Sequence, residues 1–276
     1  MRANTISWRI NAERIVLLGW SRAILLQLAH PLVAAGVADH SSFRDGGLAA
    51  ARRLHLTVRA MLALTFGGAQ GRADALEGIL AIHRRVHGQL PAAAGRFPAG
   101  TPYSAEDPDL VLWVHATLLE SIPLIYDRLV LPLTTAERDA YCAEAASIAI
   151  DLGARDHQVP RTWEALGAYL ERTYASGSIA VSAQALELAS AVLAPPFAFV
   201  VAPAAWINRL ITIGLLPDRI RTGYGFSWNV RHERALARVA SLLRIVRRVT
   251  PSAVALWPES VSDRSLRRSR PDTPAA

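Results

Sequence analysis

Apolar residues recur at three- and four-residue spacing along almost the whole chain, and no alternating run is long enough to read as a strand. The pattern predicts an all-α, bundle-like single domain over residues 1–258. A first helix is expected over about 11–37, bent near Pro31, because proline lacks an N–H and also restricts the preceding His30. A second runs over about 47–66 and stops at Gly67-Gly68; a third spans about 71–88 and ends at Gly88. The stretch 89–106, QLPAAAGRFPAGTPYSAE, is a Pro/Gly-rich loop. Asp107 then caps a helix opened by Pro108 and running to about 129. Thr134-Thr135 precede Glu137 in capping-box order and start a helix that ends at Gly153. Helices over about 161–175, 180–193, 197–214 and 226–250 complete the domain, and the polar tail 259–276 is expected to be disordered.

Composition narrows the function classes. Over 276 residues the hydrophobic fraction is 51% and the charged fraction 19%, which supports a sizeable core. All 30 basic residues are arginine, so lysine is absent as Schiff-base nucleophile or general base. The net charge of +7 is scattered, with local clusters only at Arg244, Arg247 and Arg248 and at Arg267, Arg268 and Arg270. No nucleic-acid motif accompanies it, so no nucleic-acid partner is expected. The lone Cys142 excludes an internal disulfide and reads as a packed thiol. No cleavable leader and no uncharged run of about 20 apolar residues is present, which leads to an expected cytoplasmic location. The apolar segment 193–217 is either a buried helix pair or a peripheral membrane contact beside a substrate entrance.

Candidate chemistry concentrates in the N-terminal half. Six of the eight histidines (His30, His40, His55, His83, His87 and His115) lie in the first 115 residues, most inside apolar helices. Buried ring nitrogens need partners, so the cluster suggests a polar or metal-bearing pocket. His83 and His87, four apart, could chelate one metal from one helix, but no Glu-x-x-His or His-Glu-x-x-His motif supplies further ligands. A single axial imidazole asks for less: one histidine and a large apolar pocket. Ile79, Ile82, His83 and Val86 share a helical face, which turns His83 inward, whereas His87 beside Gly88 suits a C-terminal cation. His115 in LVLWVHATLLE is expected to be buried, bonded to a carbonyl or orienting a ligand. Arg53 and Thr57 also share a face and could present two donors to an anion or an oxygen species; a solvated arginine beside a back-bonded threonine is the alternative. His30 and His40 read as structural. No Gly-x-Ser-x-Gly elbow is present, so hydrolysis is set aside.

Five segments, in order, carry a resemblance: HPLVAAGVADHSSF (30–43), RRLHLT (52–57), IHRRVHG (82–88), PYSAEDPDLVLWVHATL (102–118) and GLLPDRIRTGYGFSW (214–228). Together they resemble the catalytic-domain family shared by the rubber oxygenase (latex clearing protein) and the mpaB-type oxygenases of fungal meroterpenoid biosynthesis. The resemblance implies an all-α fold holding a b-type haem, with oxidative cleavage of isoprenoid double bonds by dioxygen. It makes His83, in the His-x-x-Val pattern, the axial iron ligand, and His115 a residue of the haem environment. Arg53 and Thr57 match the family's Arg-x-x-x-Thr pair near the distal haem face. The match departs where the rubber oxygenase carries a lysine able to occupy the sixth iron position, since Leu56 stands there. No carboxylate aligns with that enzyme's proposed base, although Asp39 and Asp45 are nearby. The reading is a haem b-dependent oxygenase acting on a hydrophobic, terpenoid- or lipid-like alkene. A haem carrier or sensor without turnover, and a helical scaffold without haem, are the alternatives.

Overall fold

The longest run of buried side chains belongs to one helix, and the others are arranged around it. In the computed structural model this is α6 (Pro108–Leu129), opened by Asp107, whose carboxylate accepts from the Asp109 amide. The structure describes residues 5–40, 47–193 and 202–261, with backbone alone over 47–54. Among the described residues only α6 is by itself long and apolar enough to cross a membrane, and 72% of its apolar window is buried inside the protein. That burial is what a core helix requires.

Around α6 run α1 (Ile6–Asn11), a 3-10 turn at Arg14–Leu17, α2 (Leu18–Leu28), α3 (Pro31–His40), α4 (Gly47–Phe66) and α5 (Gly68–His83). After α6 come α7 (Thr135–Asp151), α8 (Trp163–Ala175), α9 (Ala183–Leu193), α10 (Ala202–Leu215), α11 (Asp218–Gly223), α12 (Val230–Val249) and α13 (Ser252–Ala255). The expected all-α fold is therefore found. A two-stranded antiparallel sheet, β1 (His87–Gln89) with β2 (Pro102–Ser104), is the exception. Three residues are too few for an alternating pattern to show, so hydropathy cannot reveal either strand.

Local signals place the helix ends closely. The break at His30-Pro31 turns the chain by 107° between the segment 14–28 and α3. Thr134 and Glu137 form the reciprocal capping box at the start of α7. The expected first helix does not begin at residue 11: α1 ends there, and Ala12-Glu13 separate it from the 3-10 turn that leads into α2. Glu13 is pulled aside by a bidentate pair with Arg247 at 2.6 and 2.5 Å. The expected 226–250 helix starts only at Val230, where Asn229 caps it, and α11 precedes it as a separate turn. Of the tail expected to be disordered over 259–276, residues 259–261 are helical with Ser260 buried, while 262–276 and the segment 194–201 lie outside the described residues.

The α2–α6 contact is close because Gly19 lies on it. A Cβ there would stand 2.9 Å from the Ser121 carbonyl oxygen and 3.0 Å from the Ile125 side chain. Beside that crossing Arg22, 2% exposed, ties three helices together. Its Nε donates to the Leu215 carbonyl at 2.7 Å, and Nη1 donates to Glu120 at 2.9 Å and Ser121 at 2.6 Å. A buried guanidinium is tolerable only with such partners. Trp113, Leu25, Leu26, Leu119 and Tyr126 fill the main core beside it.

Candidate functional site

His83 is the last residue of α5, and the helix does not continue beyond it. Val86 N–H donates to the His83 carbonyl, Ala105 N–H returns to the Val86 carbonyl, and the chain enters β1. This corrects the expected third helix, which was to run on to Gly88. His87 lies in a strand, so it is neither a helix C-terminal cation nor able to chelate with His83 from one helical face. The reason is tertiary. Gly88 passes directly over Tyr103, where a Cβ would come within 2.5 Å of the phenol oxygen, and Val86 packs against Gly36 of α3.

Tyr103, buried in that corner, donates its hydroxyl to Asp39 at 2.5 Å, and burial followed by that bond pushes its pKa up. Asp39 is thus engaged by Tyr103, while Asp45, the other carboxylate considered, lies outside the described residues. Nearby, His40 Nε2 bonds the His87 carbonyl at 3.0 Å. The sequence reading missed the Tyr103–Asp39 pair. Its one visible trace was an aromatic residue standing inside a Pro/Gly-rich loop, where a solvated loop has no use for one.

The His83 side chain is half-buried, and its Nδ1 is enclosed with no hydrogen-bond partner among the described residues. Burial lowers its pKa, opposed by the charge of Glu106. His115, on α6, is half-buried as a residue, but its Nε2 is enclosed and equally without a partner. Burial depresses its pKa to about 4. No carbonyl satisfies that nitrogen, so a histidine bonded into the core does not describe His115. Among the described residues Nδ1 of His232 on α12 and Nδ1 of His30 are likewise enclosed and unpartnered, His30 being held near pKa 4 by burial and then by the charge of Arg96. Buried polar atoms of folded proteins nearly always find partners, so each such nitrogen calls for an account.

Helix α5 is thinly covered, while α4 buries Leu64, Thr65 and Phe66 at its C-terminal end. Among its described side chains α5 has none that is buried, and Ile82 is 54% exposed. The expectation that Ile82 turns inward beside His83 is corrected accordingly. On α4, His55, Leu56 and Thr57 are exposed. The helical backbone places Arg53 and Thr57 one turn apart, as expected; the Arg53 side chain lies outside the described residues. Arg72 pins α5 to α7 by bonds to Ser147 at 3.0 Å and Asp151 at 2.7 Å. The hairpin is anchored, yet the apolar side chains of α5 stay partly open.

Among the described residues no three His, Cys, Asp or Glu side chains stand close enough together to hold a metal ion. A metal here would need a carrier that supplies the other ligands. Cys142 is wholly buried, and burial raises its thiol to about 12, so it is a packed residue, as expected. Two open clefts lie elsewhere. One, of about 770 Å³, includes Arg96, Leu112, Arg161 and Arg172; the other, of about 260 Å³, includes Trp206, Phe226 and Trp228. Neither is lined by Thr57, His83 or His115.

A family model described as "ER-bound oxygenase mpaB/B'/Rubber oxygenase, catalytic domain" matches residues 8–245. No curated protein and no solved structure matches the chain. A match over most of the chain, on a mostly helical fold, decides the family: the chain belongs to the mpaB/rubber oxygenase catalytic-domain family, and so to the oxygenases among the oxidoreductases.

Proposed function

We propose that the protein is a haem b-dependent oxygenase acting with dioxygen on a hydrophobic, terpenoid- or lipid-like alkene. The observation that carries this reading is the enclosed imidazole nitrogens of His83 and His115, neither with a partner among the described residues; His83 ends a helix that has no buried side chain. These residues fit a haem. Both imidazoles are held in the neutral form that a metal ligand must have, and a broad apolar macrocycle suits side chains such as Ile82 that the protein leaves uncovered. The haem would bring the remaining ligands that the side chains do not supply.

In this reading His83 would hold the haem iron, and His115 would give the haem environment a polar point. When bound, the haem supplies the activation of dioxygen; the protein supplies position, polarity and exclusion of water. Arg53 and Thr57, one helical turn apart, donate to negative charge that develops on oxygen during the reaction. Such donors are worth most where water is excluded. Thr57 is exposed, so bound haem and substrate must themselves complete the dry site. Leu56 is exposed beside it, and its aliphatic side chain could not ligate a metal.

Expression with a haem supply tests the reading. The purified protein should show a Soret band that is lost in His83→Ala and kept in Arg53→Ala and Thr57→Ala. Those two variants should instead lose oxygen-dependent formation of aldehyde or ketone from an isoprenoid alkene, by roughly a hundredfold for removal of one such donor. A protein that takes up no haem, or binds it equally well in His83→Ala, overturns the assignment.

A further inference from the structure

The last long helix faces solvent with a surface unlike the rest of the molecule. α12 packs inward through Leu236, Val239, Ala240 and Leu243. Two arginines that looked like part of a free cationic cluster are also turned inward. Arg247 pairs with Glu13, and Arg244 donates to the carbonyls of Asp127 and Arg128. The outer face, which also carries the exposed Arg248 and Val246 near its C-terminal end, has one long stripe at its centre. Residues 231, 234, 238, 242, 245 and 249 follow one another at three- and four-residue steps, so they lie on one line of the helix.

That line divides into two halves. The N-terminal half is Arg231, Arg234 and Arg238, all exposed, and none has a carboxylate within ion-pair distance among the described residues. The one acidic residue of the helix, Glu233, is occupied by the indole N–H of Trp228. The C-terminal half is Leu242, Ile245 and Val249, exposed by 57%, 58% and 76%. Val254, 60% exposed, continues the apolar end into α13. Twenty residues make the helix about 30 Å long, so the two ends are well separated.

We infer that α12 docks this protein on an anionic phospholipid surface. The three aliphatic side chains enter the boundary of the acyl region while the three guanidiniums lie among phosphate headgroups. Charge complementarity selects this occupant. Uncompensated arginines gain from an anionic leaflet, and adjacent aliphatics gain by leaving water, whereas a second copy of the chain would bring like charge to the same stripe. Neither half needs any rearrangement of the fold, because no side chain of the stripe holds another element in place.

Vesicle flotation with the full chain tests this. Wild type should float with vesicles of phosphatidylcholine mixed with phosphatidylglycerol, release in high salt, and stay behind with phosphatidylcholine alone. The combined variant Arg231→Gln, Arg234→Gln, Arg238→Gln should lose roughly a hundredfold in partitioning, about fivefold for each arginine at the surface. The combined variant Leu242→Ser, Ile245→Ser, Val249→Ser should lose about tenfold or more. Unchanged circular dichroism would show that both variants fold. The proposal is overturned if wild type does not float, if it floats equally with neutral vesicles, or if both variants float as well as wild type. It is equally overturned if light scattering shows a dimer that the aliphatic variant splits while vesicles bind nothing.

Discussion

Acid should begin to destabilise this protein above the range in which carboxylates titrate, and the cause can be assigned to two residues. His30 and His115 both have pKa values lowered from 6.5 to about 4, chiefly by burial. In the unfolded chain they regain ordinary values, so between about pH 6.5 and 4 the unfolded state binds more protons than the folded one. Stability therefore rises with pH across that window and is lost as pH falls through it. Each unit is worth about 1.4 kcal/mol, so each histidine withdraws about 3 kcal/mol by pH 4. Together they remove about 6 kcal/mol, comparable with the whole stability of an ordinary domain. Urea denaturation at neutral pH and at steps down to pH 4 measures the effect. The controls are His30→Leu and His115→Leu, which cannot take up the proton. The stability difference between wild type and each variant should move by about 3 kcal/mol in the variant's favour from neutral pH to pH 4. A difference that stays constant with pH would refute the reasoning, because it would mean that neither ring is kept neutral by the fold.

Four further outcomes are expected. Arg22→Met should cost about 3–5 kcal/mol in chemical denaturation, because Glu120, Ser121 and the Leu215 carbonyl lose the guanidinium that joins them. Thr134→Ala should cost about 1 kcal/mol by the same assay, since the capping box at α7 is removed. Gly88→Val should weaken the strand pair by driving a side chain into Tyr103, and haem uptake should fall with it if the turn after His83 positions that residue. Cys142 should be silent to a thiol-reactive dye in the native protein and react with one equivalent of reagent after unfolding, as its burial and raised pKa require.

The features legible in the sequence were those decided within a few residues. The Asp107-Pro108 start, the Thr134–Glu137 box, the bend at His30-Pro31 and the stop at Gly67 all depend on groups less than two helical turns apart, and the structure has each of them. Arg53 and Thr57 share a turn of α4 for the same reason. Family membership was also legible, because it rests on the order of residues rather than on their contacts.

Tertiary structure alone decided where the side chains go. His87 left its helix because Tyr103, sixteen residues later, and α3 hold the strand pair in place; nothing next to His87 announces it. His115 was expected to be buried, but whether its ring nitrogen finds a partner depends on the helices packed around α6, and it finds none. On α12, Arg247 is turned inward by Glu13, 234 residues away, while Arg231, Arg234 and Arg238 of the same helix remain in water. Helix ends follow from local hydrogen bonding, which the chain carries with it everywhere. Burial and partnership follow from long-range contacts, and only the folded molecule assembles those.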